Sequence, residues 1–104
     1  MSGTVGIVQP HEGLSVAEQE YLIELHAREE GVEINGFVGA DDILLPHEPA
    51  TRKLMESISN RETRSIVFVD QIEDKMPIGL TRHCRECGCK VLIVNRHKFG
   101  LRAA

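Results

Sequence analysis

The chain has 104 residues, 41 % of them hydrophobic and 27 % charged, which is the length of one domain and the mix of a globular one. A two-domain enzyme and a disordered tract are both excluded. Twelve Lys and Arg against sixteen Asp and Glu leave a formal net charge of −4, so the overall field disfavours a phosphate backbone, and a nucleic-acid role would need a local basic patch.

Thr4 to Gln9 (TVGIVQ) is a short apolar run rich in β-branched residues, closed by Pro10 and Gly13, and reads as a buried strand. Ser15 stands three residues before Glu18 as a capping box. Leu14, Ala17, Tyr21 and Leu25 then recur at helical spacing until Gly31, which predicts a helix with those residues as its apolar stripe. Val32 to Val38 is too short for a useful helix and predicts a second strand, with Asn35-Gly36 as a bulge or early turn. Gly39 to Glu48 carries two aspartates, glycine and proline, and suits a loop. Pro49 fits the first turn of a second helix, where its missing N–H costs nothing, with Ala50, Leu54 and Ile58 on the buried side.

Ser65 to Asp70 (SIVFVD) is a continuous apolar run ending in a carboxylate, the pattern of a central strand covered on both faces. From Met76-Pro77 a third helix is predicted, with Met76, Leu80, Cys84 and Cys87 on one stripe and Gly88 as its stop. Cys89 to Asn95 supplies a fourth strand, and residues 96–104 form a basic tail. Three strand-helix-strand crossovers in one domain, residues 1–104, predict an α/β fold: three layers, doubly wound, with a mainly parallel four-stranded sheet. In such sheets the chemistry gathers beyond the carboxyl ends of the strands, where His11, Asp41, Asp42, His47, Asp70 and Asp74 fall.

No run approaches the roughly 18 apolar residues of a membrane span, and the first residues lack the segments of a secretory leader. A cytoplasmic chain without a membrane partner is therefore expected. An odd set of three crowded cysteines, Cys84, Cys87 and Cys89, does not suit a disulfide scaffold, so reduced thiols are expected.

The element order and four local phrases (GIVQPH at the first strand, EPATRKLM at the second helix, IVFVDQIED at the third strand, HCRECGCKVLIV at the closing helix and strand) resemble the catalytic domain of the serine recombinases, the resolvase/invertase family. The resemblance runs along nearly the whole chain and implies a resolvase- or flavodoxin-like fold. It also implies where the family's machinery would stand. The nucleophilic serine falls at about His11, the first-strand arginine at Gln9, the second-helix arginine at about Glu48, and the paired arginines after the third strand at Gln71 and Asp74. Asp70 alone matches. Phosphoryl transfer needs a hydroxyl nucleophile and guanidiniums to neutralise developing phosphate charge. The resemblance thus implies a fold relative without recombinase chemistry.

Two clusters bear on other functions. HCRECGC brings His83, Cys84, Cys87 and Cys89 together, half of a zinc site by spacing or a thiol module, though cysteines on a helical stripe also pack simply as small hydrophobes. His11, Asp41 and Asp70 at the sheet edge would suit a divalent metal or an acid/base hydrolase, and each is equally ordinary as a solvated turn residue. No Gly-rich phosphate loop follows the first strand. Arg82, Arg85, Lys90, Arg96 and Lys98 concentrate positive charge late in the chain, with few aromatics for base stacking. The expected function is a non-catalytic interaction module with no resident cofactor. A protein partner or self-association is favoured over DNA. The small hydrolase and the thiol/zinc module are the alternatives.

Overall fold

The structure, a computed structural model, describes residues 3–43 and 48–95, with only the backbone of Asp42. The expected roles of His47, of Arg96 and Lys98, and of the basic tail lie outside the described residues. The elements follow the predicted order: β1 (Gly3–Val8), α1 (Val16–Glu30), β2 (Ile34–Gly39), α2 (Pro49–Ser59), β3 (Thr63–Val69), α3 (Ile78–Cys87) and β4 (Lys90–Val94). Two 3-10 turns, Ala40–Ile43 and Asp70–Lys75, follow β2 and β3.

Local chemistry sets the boundaries. Ser15 Oγ accepts from the Glu18 N–H at 3.1 Å and Glu18 Oε1 accepts from the Ser15 N–H at 3.2 Å, so the capping box forms as its spacing predicts. Gly31 and Gly88 end α1 and α3 at φ 70° and 76°, the left-handed region where a Cβ would be strained. The bulge at Asn35 is also present: Thr4 pairs with Ile34 and Val5 with Gly36, leaving Asn35 as the extra residue, and its Oδ1 takes the Thr4 N–H at 3.0 Å.

The sheet is parallel throughout, in the order β2-β1-β3-β4. Alternate residues of β1 and β3 face opposite layers, which is why both strands read as unbroken apolar runs. Val5, Ile7, Ile66 and Phe68 pack with Leu54 and Ile58 of α2 and Leu80 and Cys84 of α3. Val8, Val67 and Val69 pack with Leu22 and Ile23 of α1 on the other side. This is a three-layer α/β domain with α1 on one face and α2 and α3 on the other.

The stripe expected for α1 is corrected. Its buried residues are Gln19, Leu22, Ile23 and Ala27, whereas Ala17 and Tyr21 are exposed. A pattern search passes over Gln19 because it is polar, and that shifts the apparent stripe around the helix. Gln19 tolerates complete burial because its carboxamide is fully bonded to backbone, as the site geometry shows.

Candidate functional site at the carboxyl edge of the sheet

The winding reverses at β1. The β1-α1-β2 crossover lays β2 on one side of it, and the β2-α2-β3 crossover returns over the opposite face to lay β3 on the other. The connections leaving β1 and β3 therefore pass to opposite faces, which makes the carboxyl ends of these two strands the topological switch point where open α/β sheets usually bind their ligands. A cleft of about 940 Å³ lies at the opposite edge, between Glu30, Glu33, Arg61, Arg64, Cys87 and Lys90. That cleft lacks the convergence of strand ends and helix starts that makes the carboxyl edge the stronger candidate.

The loop after β1 is built by Gln19. Its Oε1 accepts from the Gln9 N–H at 3.0 Å, while its Nε2 donates to the Gln9 C=O at 2.5 Å and to the Leu14 C=O at 3.1 Å. Gln9 thus receives from a side chain the two bonds that a neighbouring strand would have supplied. The chain then turns over His11 to Leu14, where the Leu14 N–H reaches the His11 C=O at 3.2 Å and His11 Nδ1 accepts from the Gly13 N–H at 3.1 Å. With Nδ1 committed as an acceptor, the neutral imidazole carries its proton on Nε2. His11 is exposed, but neither ring nitrogen offers a free lone pair to a substrate proton while this turn is intact.

The loop after β3 supplies Asp70 and Gln71. Gln9 follows β1 and Asp70 opens the 3-10 turn after β3, so both stand just past the carboxyl ends of the two central strands. Gln9 Oε1, Asp70 Oδ1 and Gln71 Oε1 are all buried and have no hydrogen-bond donor among the described residues. Asp41 stands beyond β2, exposed, on the other side of β1 from Asp70, and Asp74 is exposed after β3.

Electrostatics at the nearest helix start follow the same trend. The first turn of α1 is closed by its own capping box, so the Glu18 carboxylate sits where an anionic ligand would otherwise meet the backbone N–H groups.

The cysteine cluster lies at the other edge. His83 Nε2 is 3.1 Å from the Met55 C=O, 2.9 Å from Ser59 Oγ and 3.7 Å from Cys87 Sγ. A carbonyl can only accept, so Nε2 bears the proton here too, and His83 clips α3 to α2. Cys84 and Cys89 are buried and share a hydrogen bond. That bond, with burial, pushes the Cys84 thiol far above the ordinary range, and the same bond holds Cys89 below it against the opposing effect of burial. Among the described residues no three of His, Cys, Asp and Glu gather as a group able to hold a metal ion. Neither the His11, Asp41 and Asp70 set nor the His83, Cys84, Cys87 and Cys89 set forms one.

Arg82 and Arg85 are exposed on α3, and Lys90 is exposed at the start of β4. No helix among the described residues is long and apolar enough to cross a membrane. Sequence reasoning missed Gln19 as the builder of the site. Its one signal was a polar residue three and four positions before the apolar pair Leu22 and Ile23. No family model, curated protein or solved structure gives a significant match to this chain.

Proposed function

We propose that this chain is a resolvase-like α/β domain that works by binding a protein partner and performs no phosphoryl transfer on DNA. One observation carries the reading: just past the carboxyl ends of β1 and β3, Gln9 Oε1, Asp70 Oδ1 and Gln71 Oε1 are buried side-chain oxygens without donors among the described residues. The resemblance calls for arginines at Gln9 and Gln71. A phosphodiester offers only acceptor oxygens and negative charge, and neither two neutral carboxamides nor the Asp70 carboxylate supplies the positive charge a recombinase needs to stabilise the additional charge of its transition state. The capped start of α1 and the net charge of −4 act in the same direction.

The test is incubation of the purified protein with supercoiled plasmid, followed by denaturing electrophoresis for nicks and for protein joined covalently to DNA. Neither is expected. A covalent adduct overturns the proposal, and a hydrolytic activity abolished by His11→Ala would move the protein to the small-hydrolase class.

A further inference from the structure

Strand β4 is an edge of the sheet among the described residues, and a groove of about 540 Å³ runs between it and α3, lined by Met76, Ile78, Arg85, Val91 and Ile93 with Glu73 at one end. Among the described residues the exposed large apolar side chains are Tyr21 at 59 %, Ile78 at 75 % and Ile93 at 42 %. Two of those three line this groove. An edge strand with unpaired backbone groups and apolar side chains on one face is a template for another strand.

The charges indicate which strand. Glu73 follows the carboxyl end of β3, whereas Arg85 is in the last turn of α3, just before β4 begins. They therefore occupy opposite ends of the groove. An arrangement that turns the groove end for end against itself sets each Glu73 against an Arg85, and a two-fold axis does this. We infer that the partner of this surface is a second copy of the chain, joined by antiparallel pairing of the two β4 strands across a two-fold axis into one eight-stranded sheet. With the axis at Leu92, Val91 of each copy lies opposite Ile93 of the other on the α3 face, a pair of β-branched residues suited to cross-strand packing. Glu73 of each copy meets Arg85 of the other at the two ends of the interface.

This inference rests on the binding-module reading and names its partner. Its test is sedimentation velocity of the full chain over a concentration series, alone and as the exposed-charge variants Glu73→Arg and Arg85→Glu. Wild type is expected to sediment as a concentration-dependent dimer. Each single reversal sets like charges against each other at both ends and should weaken the dimer about tenfold. An equimolar mixture of the two variants restores both opposite-charge pairs and should dimerise as well as wild type, which also shows that both variants fold. A protein that stays monomeric at all concentrations overturns the inference. So does a dimer indifferent to both reversals, which would indicate another surface, and so does a mixture no tighter than its components. A monomer that leaves plasmid intact still leaves the binding reading standing, whereas a covalent adduct with DNA removes that reading itself.

Discussion

Gln19 and Gln9 are joined by a pair of hydrogen bonds, carboxamide to backbone, at 3.0 Å and 2.5 Å. Gln19 is completely buried, and this pairing, with its third bond to Leu14, holds the β1-α1 loop over the end of the sheet. Gln19→Glu keeps the shape and removes the donor, leaving the Gln9 and Leu14 carbonyls facing a carboxyl group. Urea unfolding should show a loss of about 2–3 kcal/mol, the cost of buried groups left unpaired. A loss below about 0.5 kcal/mol, the level of an ordinary surface change, would mean that the loop is held by something else.

The acceptors at the switch point give a prediction of opposite sign. Asp70 Oδ1 is buried with no donor among the described residues, as are Gln9 Oε1 and Gln71 Oε1. Asp70→Asn removes a charge from this buried position and adds an N–H₂ donor able to bond neighbouring acceptors. Stability should rise by roughly 1 kcal/mol, the net worth of one hydrogen bond. A fall of similar size would show that the carboxylate is already satisfied.

Gly6 lies under the ring of Phe37. A Cβ at this position would come within 2.6 Å of Phe37 Cδ1 and Cε1. Gly6→Ala should cost about 1–3 kcal/mol through forced displacement of the ring. Because the clash belongs to the pair, a double-mutant cycle with Phe37→Leu should recover part of that loss. Simple additivity would place the strain elsewhere.

The Cys84 and Cys89 pair predicts an alkaline limit. Cys84 is completely buried. Its hydrogen bond to Cys89, with burial, raises its proton affinity above the ordinary value of 9.0. A raised native value means that the folded chain keeps the proton while the unfolded chain releases it, so this contribution is present below about pH 9 and lost as pH rises. The slope is about 1.4 kcal/mol per pH unit. Cys89 is shifted downward, so it adds stability as pH climbs toward 9 and a constant amount above. Urea unfolding from about pH 9 upward should therefore show a steeper decline in wild type than in the Cys84→Ala/Cys89→Ala double variant. Equal slopes would contradict the assignment.

Local rules were enough for the elements of this protein, because what decides them lies within a few residues. The capping box at Ser15 and Glu18, the stops at Gly31 and Gly88 and the bulge at Asn35 all form as their spacing predicts. The apolar runs of β1 and β3 are long and unbroken, so strand-helix alternation and its parallel sheet were legible too. The buried face of α1 and the site were not. Gln19 is inside only because two backbone groups of Gln9 and one of Leu14 come to meet it, and a window of sequence holds no record of that meeting. In the same way Gln9 and Asp70 reach the same edge of the sheet through the parallel pairing of β1 with β3, a pairing between segments 61 residues apart along the chain. Short-range propensity determined where each element begins and ends, whereas which polar groups share a crevice, and whether they find donors there, was decided by tertiary packing, since hydrogen-bond satisfaction depends on distance in space.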